Sequence, residues 1–165
     1  MVRAHIISNG PSAAKARIPH NGIRIGVNTV GSVQPDLDWL CFGDTVMWEM
    51  VCGRGIAWPS VGFILPIVEI NNGRPYAPPG AQYLPWEWLW LPEDLGYSSC
   101  VAIWAARTMG AMEIHLWGFD YDGKGYADGT PVKSYRGDDH WEREVRYFNQ
   151  ACAHVRSKGA ALIKH

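Results

Sequence analysis

The stretch that decides the fold is HIISNGPSA, residues 5–13. It opens with an apolar, strand-like run, breaks at Asn9-Gly10-Pro11-Ser12, and continues into a short alanine-rich segment. Asparagine, glycine, proline and serine are residues that turns favour. In an open α/β sheet, a turn directly after a strand lies at the carboxyl edge of the sheet, where ligands bind. These four residues are therefore candidates for ligand contact, and an ordinary turn is the alternative.

Strand-like runs and helical patterns alternate along the rest of the chain. Apolar runs predict strands at Ala4–Ser8, Ile23–Asn28, Trp39–Phe42, Gly62–Ile67, Glu113–Trp117 and Ala160–Lys164. Apolar residues at three- and four-residue steps and capping residues predict helices at Val46–Val51, Cys100–Thr108 and about Trp141–Arg156. Continuously apolar strands alternating with helices favour an α/β fold with a mostly parallel sheet and helices on both faces. The pattern leaves the order of the strands open, and the last strand fits an edge or the centre.

The length of 165 residues suits one domain spanning residues 1–165. Its middle, residues 70–96, carries five prolines and predicts a long loop or an irregular excursion from the sheet. An added hairpin there would make the sheet mixed. Within this segment the alternation of Trp86, Trp88 and Trp90 places three indoles on one face if the chain is extended. That face either packs onto the core or forms an aromatic surface for a partner chain, such as a second copy, for a base or for a sugar ring.

Composition and charge exclude several classes of protein. Hydrophobic residues make up 47% and charged residues 19%, as in a globular protein. The net charge of −1, without a block of Lys or Arg, predicts no nucleic-acid partner. No apolar run reaches the roughly 18 residues of a membrane span, and the first strand is too short for the core of a signal peptide.

The cysteines point to a reducing environment. Four of them are scattered along the chain without a CxxC pair, at Cys41, Cys52, Cys100 and Cys152. We expect Cys41, Cys100 and Cys152 to be buried free thiols, and we expect no structural zinc and a cytoplasmic location.

Four motifs follow one another in a fixed order: ISNGPSA, RIGVN, YSSCVAIWAARTMGAMEIHLWGFDY and GDDHWEREV. This order resembles bacterial sialyltransferases of the lipooligosaccharide type, glycosyltransferase family 42. It is also similar to a wider set of Rossmann-like proteins that includes the 6-hydroxymethylpterin diphosphokinase-like family. The resemblance covers most of the chain and is weakest in the middle. It implies a Rossmann-like domain that uses a nucleotide-sugar as co-substrate, with no metal.

The resemblance also implies residues that bind the donor. The turn Asn9–Ser12 would contact the nucleotide, since glycine lets a phosphate approach the backbone and the next helical turn offers free N–H groups. Asn28, at the end of the second strand, would hydrogen-bond the ribose or base. Ser98 and Ser99 open a helix and would hold an anionic or sugar group, although Ser99 stands near where the family often has glycine. Asp120 would lie in the same crevice.

Three further residues carry the chemistry that the resemblance implies. Tyr121 and Tyr126 fall where the family places tyrosines against the leaving phosphate, and a phenol donates a hydrogen bond without adding charge. His140 falls at the position of the general base, because an imidazole accepts a proton near neutral pH. The neighbouring Asp138 and Asp139 are candidates to orient its ring or raise its pKa.

Each candidate has a plainer alternative, and several functions stay open. The serines also suit helix caps, His140 a capping or surface position, and the carboxylates Asp120, Asp122 and Asp128 a loop that lacks the spacing of an EF-hand. We expect transfer of a sugar from a nucleotide donor to a hydroxyl group. The alternatives are a nucleotide-binding module without chemistry, an assembly subunit, and a pterin diphosphokinase, which alone would need magnesium, with Asp120 and Asp44 as ligands.

Overall fold

In the computed structural model, residues 1–43, 47, 49, 56, 58–66, 82–91, 96–121, 127 and 138–165 are described. They form one sheet of seven strands: β1 (Val2–Ile7), β2 (Ile23–Val27), β3 (Trp39–Cys41), β4 (Gly62–Leu65), β5 (Gln82–Pro85), β6 (Ala111–Trp117) and β7 (Ala161–Lys164). The spatial order is β5-β4-β3-β2-β1-β6-β7, and every neighbouring pair is parallel. The predicted parallel α/β, Rossmann-like fold is confirmed.

The two faces of the sheet are covered differently. The α-helices α1 (Ser98–Thr108) and α2 (Asp138–Ser157) pack against each other, and their apolar residues join one core cluster with Ile6 and Ile25 of the sheet. A second cluster, on the opposite side of β1, contains Ile7. Two short 3-10 helices, Pro11–Lys15 and Asn28–Ser32, cover that face with Ala13 and Val30. Alternate residues of one strand point to opposite faces, so β1 contributes to both clusters.

Strand β5 was not predicted. It lies inside the segment predicted as a loop or excursion, pairs in parallel with β4, and forms one edge of the sheet. The segment therefore adds a parallel strand, and all pairings among the described strands are parallel. Strand β7 forms the other edge, which answers the question left open for the last strand. The predicted helix Val46–Val51 lies largely outside the described residues.

The three tryptophans would share one face only in an extended chain, and this condition is not met. The chain leaves the sheet at Pro85 and forms a 3-10 helix, Trp86–Leu89, and the indole Nε1 of Trp86 donates to the carbonyl of Ile64 at 3.2 Å. Trp86 packs against the core, whereas the side chains of Trp88 and Trp90 are 63% and 87% exposed. An alternation of two residues places side chains together only in an extended chain.

The strand order creates a topological switch point between β1 and β6 at the carboxyl edge, a region that we call the crevice. From β1 the chain adds strands in one direction as far as β5, then returns through α1 to place β6 on the other side of β1. The chain after β1 leads to the 3-10 helix on one face of the sheet, whereas the chain after β6 leads to α2 on the other face. Such a switch point is where open α/β sheets bind ligands. In the part of the chain that the structure describes, no helix combines the length and apolarity needed to cross a bilayer.

Three buried thiols provide a test of the core. Burial raises the pKa of Cys100 to about 12 and of Cys152 to about 11, and it raises that of Cys41 further still. Each pKa unit lowers the thiolate fraction tenfold, so we expect these thiols to react with a disulfide reagent at pH 8 at least about 100-fold slower than a free thiol. The measurement is reagent uptake before and after denaturation in a Cys52→Ser background. Rapid uptake of three thiols by the folded protein would contradict this packing.

Candidate functional site

The floor of the crevice is made where the ends of β1 and β6 touch. The amide of Gly10 donates to the carbonyl of Gly118 at 2.9 Å, which extends the contact between the two strands beyond their ends. A Cβ atom on Gly10 would lie 2.3 Å from that carbonyl oxygen. Gly118 itself has a φ of +70°, a conformation that favours glycine. Both glycines are therefore required by this close approach of the backbone.

Asp120 closes the crevice on one side. Its Oδ2 accepts a hydrogen bond from the amide of Ser12 at 2.8 Å, and its Oδ1 accepts one from the Ser12 hydroxyl at 2.6 Å. The amides of Gly10 and Ser12 are thus both engaged inside the protein. The resemblance implies a phosphate as the partner at this turn. In the structure the negative charge at the turn is that of the Asp120 carboxylate. Pro11 begins the 3-10 helix between them.

Two asparagines stand at the ends of adjacent strands. Asn9, 8% exposed, follows β1, and its Nδ2 donates to the hydroxyl of Thr29 at 2.9 Å. Asn28 follows β2 with a φ of 55°, in the left-handed region that asparagine tolerates better than most residues. The side-chain oxygens of both are buried and lack a hydrogen-bond partner among the described residues. Two buried acceptor oxygens therefore lie near the strand ends that border the crevice.

Tyr121 has a strained backbone and a buried hydroxyl. Its φ is 51°, an outlier for a bulky residue, and its ring packs against Phe119 and Phe148 with centroids 6.1 and 5.3 Å away. Burial raises the pKa of its phenol well above the ordinary value, and the charge of Glu144 raises it further. The phenol is therefore protonated at neutral pH and can donate a hydrogen bond.

The start of α1 meets the same region. Tyr97 is the N-cap residue of α1 and makes no side-chain cap, so Ser98 and Ser99 lie within the helix and do not cap it. The carbonyl of Ser98 accepts a contact from the Cys41 thiol at 3.3 Å, which places the helix start beside the end of β3. The neighbouring Ser99 hydroxyl acts to lower the pKa of the Tyr121 phenol. The two hydroxyls nevertheless do not meet the geometry of a hydrogen bond.

His140 lies in the first turn of α2 and is aligned by a residue that the sequence analysis missed. Its Nε2 is 3.5 Å from Oε2 of Glu144, one helical turn further on. Asp139 does not orient the ring, because its side chain is 82% exposed and pairs with Arg143 at 3.5 Å. The signal for Glu144 was present as an i,i+4 spacing, at which side chains on a helix meet. The side chain of Asp138 lies outside the described part of the structure.

Four predicted site residues share an uncommon property. Most buried polar side-chain atoms in proteins have a hydrogen-bond partner, and those that do not call for an explanation. Within the described ranges, such atoms without a partner occur on Asn9, Asn28, Ser99 and Tyr121, and elsewhere on Arg24. The coincidence marks the crevice as a place where a polar ligand completes the hydrogen bonding.

The remaining candidates have different outcomes. Tyr126, together with Asp44, Asp122 and Asp128, lies outside the described residues. Among the residues with described positions, no group of three or more His, Cys, Asp or Glu side chains is arranged to hold a metal ion.

Comparison with known proteins finds a similarity to solved structures only. No protein-family model matches the sequence, and no curated protein matches it. Among solved structures, the sialyltransferase CstII from Campylobacter jejuni superimposes with a TM-score of 0.64 at 13% identity, covering 99% of this chain and 81% of that one. The chain shares the fold of this sialyltransferase. At such low identity the likeness establishes the fold, and it agrees with the resemblance drawn from the four motifs.

The matched CstII structures contain nucleotide ligands. The first holds the substrate analogue CMP-3FNeuAc. A variant of CstII in complex with CMP matches with a TM-score of 0.62 at 13% identity, covering 97% of this chain and 80% of that one. A complex of CstII with CMP and a trisaccharide acceptor matches with a TM-score of 0.60 at 12% identity, covering 98% and 80%. This architecture therefore accommodates a cytidine nucleotide in at least one enzyme.

Proposed function

We propose that this protein is a glycosyltransferase that binds a CMP-sugar at the carboxyl edge of its sheet and transfers the sugar to a hydroxyl group. The observation that carries the proposal is the set of buried polar atoms without partners on Asn9, Asn28, Ser99 and Tyr121, all around the switch-point crevice. The CMP complexes of the fold relatives support the choice of nucleotide.

The CMP-sugar would be held by hydrogen-bond acceptors and hydrogen-bond donors of the protein. The side-chain oxygens of Asn9 and Asn28 are acceptors, which suit the hydroxyls of ribose or the amino group of cytosine. The hydroxyls of Ser99 and Tyr121 are donors, which suit the oxygens of the phosphate. A neutral phenol stabilises the charge that develops on the leaving phosphate and requires no counter-ion of its own. Asp120 would hold the turn Asn9–Ser12 in place through Ser12.

The transfer itself needs one base. In the proposed step the acceptor oxygen bonds to the anomeric carbon of the sugar, the bond from that carbon to the phosphate oxygen breaks, and CMP leaves. His140 would take the proton of the acceptor hydroxyl, and Glu144, 3.5 Å from its Nε2, would stabilise the imidazolium that forms. In this proposal the donor is bound by Asn9, Asn28, Tyr121 and, on α1, Ser99, whereas His140 on α2 serves the acceptor.

Binding is tested by thermal unfolding with CMP, UMP, GMP and a CMP-sugar. At one hundred times its dissociation constant, CMP adds about 2.7 kcal/mol of stability, which raises the midpoint by roughly 5–10 °C. Asn28→Ala is expected to weaken CMP binding about tenfold or more, because it removes an acceptor from a buried site. Asn149→Ala, on the exposed face of α2, is the matched control and should bind like the wild type. If no nucleotide raises the midpoint, the proposal fails.

Catalysis is tested separately from binding. We expect the wild-type protein to release CMP from the CMP-sugar when acceptor sugars are present, as measured by chromatography. His140→Ala should bind CMP within about twofold of the wild type and release it at least 100-fold more slowly, the contribution typical of a general base. Binding without release in the wild type would instead support the alternative, a nucleotide-binding module without chemistry.

A further inference from the structure

A second cavity lies at the opposite end of the sheet from the crevice. Its volume is about 460 Å³, and its lining includes His20, Arg24, Asp36, Asp38, Trp58 and Ser60. Arg24 is near the amino end of β2, whereas Asn28 follows the carboxyl end of the same strand, which separates them by about 13 Å. The cavity is thus separate from the proposed donor site, and its size suits a small organic molecule.

The cavity is built around a buried cation. Arg24 is only 5% exposed. Its Nη1 donates to Nδ1 of His20 at 3.2 Å, and the nearest carboxylate oxygen described, on Asp36, is 4.0 Å away on a side chain that is 71% exposed. Its Nε has no hydrogen-bond partner among the described residues. A buried guanidinium whose positive charge is only partly neutralised by carboxylates lowers the stability of the protein. An anion bound beside Arg24 would neutralise this charge.

The other aspartate in the wall is already engaged. Oδ2 of Asp38 accepts the backbone amide of Arg24 at 2.8 Å, and its Oδ1 accepts the hydroxyl of Ser60 at 3.2 Å. These bonds tie the segments before β3 and β4 to β2 and fix the shape of the cavity. The negative charge of Asp38 nevertheless remains near the site, and together with Asp36 it limits how much additional negative charge the cavity tolerates.

An aromatic wall stands beside this charge. Trp58 is 42% exposed, and its ring is held edge-on against Phe63 with centroids 5.4 Å apart. A fixed, partly exposed indole offers an apolar surface to the body of a ligand, while the guanidinium offers a planar fork that matches a carboxylate.

We infer that this cavity binds a small organic carboxylate, whose carboxylate pairs with Arg24 and whose body packs on Trp58. A singly charged carboxylate suits the site better than a phosphate dianion, because Asp36 and Asp38 repel the second charge. The inference does not depend on the proposed transferase function.

The test uses benzoate, with neutral benzamide of nearly the same shape and dianionic phenyl phosphate as comparisons. Binding is followed by NMR through the indole N–H signal of Trp58, assigned by its loss in Trp58→Phe. We expect benzoate to shift this signal saturably and to bind at least tenfold more tightly than either comparison. Arg24→Gln should weaken benzoate at least tenfold, whereas Arg17→Gln, at an exposed arginine nearby, should not.

Three results would overturn the inference: no saturable shift with benzoate, equal affinity for benzoate and benzamide, or unchanged affinity in Arg24→Gln. Since removal of a buried arginine can impair folding, Arg24→Lys is measured alongside. It keeps the charge and loses the fork, so we expect at least threefold weaker benzoate binding in a protein that still melts cooperatively. Wild-type affinity in Arg24→Lys would also contradict the assignment.

Discussion

Gly10→Ala is expected to lower the free energy of unfolding by about 3 kcal/mol, the upper end of the usual cost of overpacking. The added Cβ would lie 2.3 Å from the carbonyl oxygen of Gly118 and 2.5 Å from Oδ2 of Asp120. The first of these is backbone at the junction of β1 and β6 and cannot rotate away. The expected fall in the thermal midpoint is roughly 6–12 °C, and denaturant unfolding measures the free energy directly.

Gly96→Ala is the matched control for this substitution. A Cβ on Gly96 would meet nothing within 4 Å, and the residue is exposed. We expect its stability to stay within about 0.5 kcal/mol of the wild type, as for most surface substitutions. A Gly10→Ala protein as stable as Gly96→Ala would show that β1 and β6 are not in close contact at the crevice. The ligand site would then need a different floor.

Phe119→Ala is expected to lower the free energy of unfolding by about 4 kcal/mol. The side chain is 1% exposed, and its ring packs with those of Phe148 on α2, 5.0 Å away, and Tyr121, 6.1 Å away. Removing it leaves a cavity between α2 and the end of β6. Because Tyr121 also loses a neighbour that holds its ring, CMP affinity should fall as well, and both effects are measured in parallel by denaturant unfolding and ligand titration.

Phe119→Leu separates packing from positioning. Leucine fills most of the space, so the expected cost is about 1.5 kcal/mol, the upper end for a swap that nearly conserves volume. Phe119→Ala and Phe119→Leu could lower the free energy of unfolding by the same small amount. In that case the neighbouring side chains fill the space after the substitution, and Phe119 does not hold Tyr121. If CMP affinity falls only in the alanine variant, the aromatic stack on α2 positions the tyrosine.

Much of the fold is predictable because local patterns and tertiary structure agree. The strand-like runs at residues 4–8, 23–28 and 113–117 become the central strands β1, β2 and β6, in which apolar residues such as Ile6, Ile25 and Ile114 are buried. Strand β5 is different. Its four residues, Gln82–Pro85, begin with a polar side chain and end in proline, and only pairing with β4 makes them a strand. A short edge strand carries too little apolar pattern to be recognised alone.

The candidate site is also predictable from the sequence only in part. Asn9, Asn28 and Asp120 are recognisable from sequence because each lies within three residues of the end of a strand, and strand ends meet at one edge of a parallel sheet. The residues that they contact cannot be recognised from the sequence. The contact between Ser12 and Asp120 joins residues far apart in the chain, and Arg24 reads as an ordinary charged residue beside a strand until its burial is known.

The sequence by itself determined the alternation of strands and helices and the turn after the first strand, because hydrophobic period and turn chemistry act over a few residues. Only the tertiary structure decided the strand order, the crevice between β1 and β6, the orphaned acceptors of Asn9 and Asn28, and the second cavity around Arg24. These features depend on which distant segments pack together. Burial turns an ordinary polar side chain into an unsatisfied one, and burial is a property of the whole fold.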